Sequence, residues 1–253
     1  MCIIFDDKSE EIIKAEHTID YIDNCPEILI GAFSYPLIDY IVKKYNGIQI
    51  ASTKSANGET PIYKINYNGK DIGVTMWEVG APMTVGTIEE CIPMGFKKFM
   101  LFGTCGVLDS SIKDLSIIVP NCAVREEGTS FHYVKASSEI DVNTKTIDKM
   151  IRYFDGKEIS HTVGKVWTTD AFYRETKNKF NLMKERGVVA VDMECSAVAA
   201  VGKFRDLEIA HFFYSADNLD AEVHDRRSLA CEEKLDDKYL ICDIAIDLAY
   251  NIF

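Results

Sequence analysis

The chain has 253 residues, 47% hydrophobic and 27% charged, long enough to bury a sizeable core and too apolar for wholesale disorder. Forty acidic residues against 28 basic ones leave a net charge of −12. That balance argues against a nucleic-acid partner, which needs a basic face, and against an anionic membrane surface.

The opening MCIIFDDKSEE turns acidic after five residues and has no signal-peptide core. The eight cysteines, at 2, 25, 91, 105, 122, 195, 231 and 242, form no CxxC pair, and most lie in apolar runs. They read as small buried hydrophobes in a reducing, cytoplasmic setting. Residues 27–33 predict a buried strand, and 36–45 a helix with Pro36 at its start. Strands 61–67 and 71–79 flank Asn68-Gly69, a type I′ hairpin signal. Gly80-Ala81-Pro82 breaks the second arm, and Thr84 is a candidate N-cap for a helix to about Met94. Strands follow at 98–103 and 115–120, with 121–140 read as loop-rich. Strand 164–169, helix 175–186, strand 188–192, helix 194–204 and strand 208–216 come next. A long helix, about 228–252, closes the chain. This alternation predicts a single α/β domain over 1–253, with helices on both faces of a mostly parallel sheet. Ligands of such sheets sit outside the carboxyl ends of the strands.

The segments at those ends carry the candidate chemistry. Gly103-Thr104-Cys105-Gly106 reads either as a tight turn or as a turn whose N–H groups cradle an anion. It is neither a P-loop nor a Rossmann fingerprint. Nothing local pairs His132 or His161 with Cys105, and the five histidines have no metal-site spacing. Asp192 and Glu194 either grip hydroxyls or serve the helix that opens there. Phe172-Tyr173 is a stacking platform or core. Asp217 is a general acid or base, or a turn former. The run His224-Asp225-Arg226-Arg227 reads as a solvated face.

Five segments in order, GFKKFMLFGTCGVLD, VREEGTSFHY, TTDAFYRETKNKF, VVAVDMECSA and FFYSADNLD, resemble the nucleoside phosphorylase superfamily of purine nucleoside phosphorylases, uridine phosphorylases and methylthioadenosine nucleosidases. The resemblance runs from about residue 27 to the C-terminus. It implies a three-layer α/β/α fold with a mixed, barrel-like central sheet. It places Glu194 on the ribose hydroxyls, Met193 beneath the sugar and Asp192 near the base. Phe172 would stack on the base and Tyr173 border the sugar. Gly31 would belong to the substrate site, and the Gly103 to Gly106 backbone would hold phosphate, with the Thr104 hydroxyl on phosphate and sugar. Asp217 would serve the purine N7, and His17 would reach a neighbouring subunit's 5′-hydroxyl.

The departures lie in the cations. Tyr35 and Leu101 stand where phosphate arginines are usual, and IQIASTKSANG offers no match for a third. Arg125, Arg174, Arg226 and Arg227 are the possible replacements. Pro36 lies about where the nucleosidases carry a glutamate, and Thr176 and Asn178 replace the uracil-reading Gln/Arg pair. The expectation is a pentosyltransferase cleaving the N-glycosidic bond of a nucleoside, purine favoured, with phosphate as co-substrate and no cofactor. Hydrolysis of the same bond and a catalytically inactive nucleoside-binding protein are the alternatives. The resemblance further implies a homo-oligomer, a dimer or a trimer of dimers.

Overall fold

The structure, a computed structural model, describes residues 5–56, 58–230 and 232–253. Cys2 and Cys231, and the first four residues of the chain, lie outside them. The six described cysteines are free, four of them buried.

The strands are β1 (Ile28–Ala32), β2 (Ile48–Ser55), β3 (Gly58–Tyr67), β4 (Lys70–Met76) and β5 (Lys98–Val107), then β6 (Ile117–Glu126), β7 (Glu139–Asp141), β8 (His161–Thr169), β9 (Val188–Asp192) and β10 (Glu208–Asn218). The helices are α1 (Tyr35–Lys44), α2 (Ala81–Met94), α3 (Ser130–Tyr133), α4 (Ile147–Gly156), α5 (Lys177–Glu185), α6 (Cys195–Phe204) and α7 (Leu235–Ile252). Among the described residues the ten strands form one mixed sheet in the order β10-β6-β8-β9-β5-β1-β4-β3-β2, with β7 on β6. β10 also pairs with β5, so five strands close into a ring and β1, β4, β3 and β2 extend from it. This is the expected barrel-like α/β architecture. The successive buried residues of β5 serve two faces. Met100 and Phe102 join a cluster with α1, α4 and α7, while Phe99 and Leu101 join one with α2 and α6. Continuous apolar runs such as KFMLF are what a strand covered on both faces requires.

The Asn68-Gly69 turn forms as expected, with both residues at positive φ and β3 and β4 antiparallel on either side. Other boundaries differ. Thr84 does not cap α2, which starts three residues earlier; its hydroxyl donates to Glu78 O at 2.6 Å. The span 121–140 is not loop-rich, because β6 continues to Glu126 and α3 and β7 follow. Helix α5 starts at Lys177 behind Thr176, whose hydroxyl accepts from the Lys179 N–H, and α7 starts at Leu235. Helix α4 is absent from the sequence reading, although Ile147, Met150, Ile151 and Phe154 repeat at helical spacing. β2 is absent from it too, since it is largely exposed and carries no apolar run.

His211 of β10 is wholly buried, and neither ring nitrogen has a hydrogen-bond partner. Burial pushes its pKa down to about 3, so the folded ring is neutral. Unfolded imidazole takes a proton below about pH 6.5. The unfolded chain therefore binds more protons below that pH, and folding loses stability as pH falls from there toward 3. Replacing His211 with leucine should raise stability at pH 7 by roughly 1–3 kcal/mol, the cost of an unsatisfied buried polar group, and flatten the decline toward acid. Urea midpoints at pH 7 and pH 5 check both statements. A midpoint at or below wild type would mean that the ring's packing outweighs its missing partners.

Candidate active site

The ends of two strands stand on opposite sides of one glycine. Gly106 of β5 pairs with Val191 of β9 and with Asp217 of β10. Neighbouring strands lie about 4.8 Å apart, so the backbones flanking β5 are about 10 Å from each other. Asp192 ends β9 one residue past Val191, and the charges of Asp192 and Asp217 both bear on Cys105 between them; Glu194 follows at the start of α6.

Glu194 and Asp192 are both buried. Asp192 is fully engaged. Its Oδ1 accepts from the Thr168 hydroxyl at 2.8 Å, and its Oδ2 accepts from the N–H groups of Glu194 and Cys195 at 2.7 and 2.6 Å. It therefore does the helix-capping work at the start of α6 and fixes the backbone that carries Glu194. Glu194 Oε1 accepts from the Gly80 N–H at 2.5 Å. Gly80 has φ 99°, a conformation glycine adopts without penalty. Burial raises the pKa of both acids; for Glu194 the charge of Asp192 adds to it. Such an acceptor gains most from hydroxyl donors that replace lost water. Behind the pair, Glu127 accepts from Ser196 Oγ and from the Ser130 N–H, both at 2.8 Å.

Asp217 owes its direction to a β-bulge. The β10–β5 register shifts between Ser215 and Asp217, which re-aims the strand's last side chains. A Cβ at Gly106 would stand 3.1 Å from Asp217 Oδ1 and 2.5 Å from Leu219, so a side chain there would crowd both. Asp217 Oδ2 lies 2.7 Å from His224 Nε2. A two-residue bridge, Asn218 to Asp225, folds the chain back and delivers that histidine. The 224–227 run is therefore not only a solvated face. Nearby, burial and the charge of Asp217 push Glu175 up to about 7.

The expected phosphate cradle differs most. Gly103 to Gly106 is strand, not turn: it lies inside β5 and pairs with β10 along its length. On the other edge, β1 pairing ends at Phe102 and β9 pairing begins at Gly106, so 103–105 is the open stretch. Thr104 is exposed there, while Cys105 is buried, and burial lifts its thiol well above the usual range. Phe33 lies over Gly103, where an added Cβ would meet its ring at 2.7 Å. Gly31 is buried within β1. Leu101 is wholly buried, and Tyr35 is exposed. Arg125 is no free cation. It donates to Ser130 Oγ, Lys135 O and Ser137 Oγ at 2.8 Å, and its guanidinium lies over the Phe131 ring. Arg227 donates to Ile112 O and Asp225, which leaves Arg174 and Arg226 as the replacement candidates.

Phe172 and Tyr173 lie on the turn after β8 with ring centroids 4.1 Å apart, and both are exposed. They are thus not core. Met193 is half-buried beside Glu194. His17 is exposed on an N-terminal segment along the C-terminal halves of α2 and α6, where Glu11 meets Arg205 and the Ile22 N–H reaches Met94 O.

Residues 28–240 match the family model described as the phosphorylase superfamily. The chain belongs to the phosphorylase superfamily. Among curated relatives it is 25% identical over 151 residues to a guanosine phosphorylase of Halorubrum lacusprofundi, covering 60% of this chain and 63% of that one. It is 24% identical over 189 residues to a DeoD-type purine nucleoside phosphorylase of Shewanella oneidensis, covering 74% and 78%. The uridine phosphorylase of Vibrio fischeri superposes with a TM-score of 0.69 over 93% of this chain and 89% of that one, at 20% identity. That likeness is one of fold. Among the described residues no helix is long and apolar enough to cross a membrane.

Within this superfamily member, three contributors had no local signature. Gly80 read only as a strand break, Glu175 only as part of a helix, and His224 as one charge in a run.

Proposed function

We propose that this protein cleaves the N-glycosidic bond of nucleosides, purine nucleosides favoured, and transfers the pentosyl group to phosphate. The observation that carries the reading is the placement of the end of β9 and of Asp217 on either side of Gly106, with Glu194 buried just beyond β9. A ribose diol donates to the Glu194 carboxylate, while Asp217 hydrogen-bonds or protonates the departing base. Phe172 and Tyr173 offer the exposed rings on which a base can stack. Fixing the sugar and matching the charge that leaves with the base are the main sources of rate. The proposal takes the protein as a cytoplasmic homo-oligomer, a dimer or trimer of dimers, in which His17 meets a neighbour's substrate, and it needs no cofactor besides phosphate as co-substrate.

A second reading, hydrolysis, is favoured by one set of observations: Leu101 is buried, Arg125 is spent, and Phe33 covers Gly103. A polyanion is held by charge-assisted bonds, and this site has few to give. Phosphate dependence should therefore be weak compared with that of phosphorylases bearing the arginines. A panel of purine and pyrimidine nucleosides, incubated with and without phosphate and assayed for free base, ribose and ribose 1-phosphate, tests all of this. The expected result is base release with a sugar product that shifts from ribose to ribose 1-phosphate as phosphate rises. Ribose 1-phosphate alone at low phosphate would refute weak binding, and ribose at every phosphate concentration would make the enzyme a hydrolase. No base release from any nucleoside would leave a binding protein.

A further inference from the structure

Asp217 is nearly sealed from solvent, with 12% of its side chain exposed, whereas its partner His224 is 51% exposed. An acid that gives up a proton in each turnover needs a route for its return. The 2.7 Å contact between Asp217 Oδ2 and His224 Nε2 supplies one, because the ring is half exposed and an imidazole has one nitrogen to accept a proton and one to donate it. The geometry is held from both ends of the loop. Asn218 and Asp225 exchange backbone hydrogen bonds at 2.9 and 3.2 Å. Beyond them Arg227 reaches Ile112 O, and Ser228 reaches Asp114 at 2.7 Å.

Building on the reading of Asp217 as the acid for the leaving base, we propose that His224 is its positioning residue and the donor that renews its proton from solvent. As the glycosidic bond breaks, its electron pair stays with the base. The Asp217 O–H bond breaks and a base N–H bond forms. The neutral ring, with its proton on Nε2, takes a second proton from water at the other nitrogen and then gives the Nε2 proton to Asp217 Oδ2; rotation of the half-exposed ring returns the bare nitrogen to water. The proton gained by the base is balanced by the one lost from phosphate or water when it bonds to the anomeric carbon. An ionised carboxylate only accepts, so between these transfers Asp217 keeps the histidine proton on Nε2. The charged groups facing His224 are Asp217 from β10 and Glu175 from the turn before α5, with Glu126 of β6 and Lys179 of α5 behind Glu175. Glu222, Asp225 and Arg226 flank it on its own loop.

The test is the full-length His224→Ala enzyme, assayed with its best nucleoside and with 4-nitrophenyl β-ribofuranoside, whose leaving group needs no proton. Turnover of the nucleoside should fall by about 10²-fold, the low end of one general acid's contribution. The loss on the activated riboside should be at least tenfold smaller. Added imidazole should restore nucleoside turnover, more so at pH values where imidazole is protonated. His224→Gln, which can still hydrogen-bond to Asp217 but moves no proton, should remain slow. Equal losses on the two substrates, full activity in the Gln variant or an absence of rescue by imidazole would overturn the proposal. Wild-type enzyme that cleaves neither compound would instead reject the functional reading beneath it.

Discussion

Asp217→Asn should slow the chemical step with purine nucleosides by about 10²–10⁴-fold, the range for one general acid. Asparagine keeps the shape and can still donate a hydrogen bond, but it cannot transfer a proton. Binding should change less than rate, because the proton is needed mainly as the bond breaks. A substrate with a better leaving group should suffer less. The competing role, a turn-forming aspartate, fits the structure poorly. Asp217 lies inside β10 at a bulge, and the turn beyond it is closed by Asn218 and Asp225. Turnover measured beside melting temperature decides: a wild-type rate in a destabilised variant would remove Asp217 from the chemistry.

Glu194→Ala should cost roughly 1.5–3 kcal/mol of interaction with ribonucleosides, the worth of hydrogen bonds to a charged group, or about 10- to 150-fold in kcat/KM. The 2′-deoxyribonucleosides lack one of the two donors and should lose less. The Gly80 N–H left behind is only half-buried, so water can satisfy it and folding should survive. Burial and Asp192 raise the Glu194 pKa, so the accepting carboxylate becomes more abundant as pH rises. Ribonucleoside affinity should accordingly improve with pH in the wild type and not in the alanine variant. Equal losses on ribo- and deoxyribonucleosides would mean that Glu194 is only an acid at a helix start.

Much of this was written along the chain. Apolar runs such as EILIGAF and KFMLFG mark strands buried on both faces, and Asn68-Gly69 marks a hairpin, because each depends on neighbours in sequence. The acids at 192, 194 and 217 were visible as polar residues ending such runs. What each acid does was not visible. Asp192 and Glu194 differ by two positions, yet one is consumed by Thr168 and the start of α6 while the other reaches Gly80. The partners lie 24 and 114 residues away, and no local pattern encodes such pairings.

The reading of Gly103 to Gly106 as a turn followed the usual meaning of two glycines. Tertiary structure made it strand, because β10 pairs alongside it, while Phe33 lies over Gly103 and Leu219 approaches Gly106 too closely for side chains. Asp217 acquires its direction from a bulge, and His224 acquires a partner from a two-residue bridge. The sequence by itself determined most of the buried strands and which of their ends carry acids, since burial and turn chemistry act locally. Only the closure of β5, β9 and β10 around Gly106 decided which of those strand ends flank one another, because strand pairing joins residues that composition and spacing leave far apart.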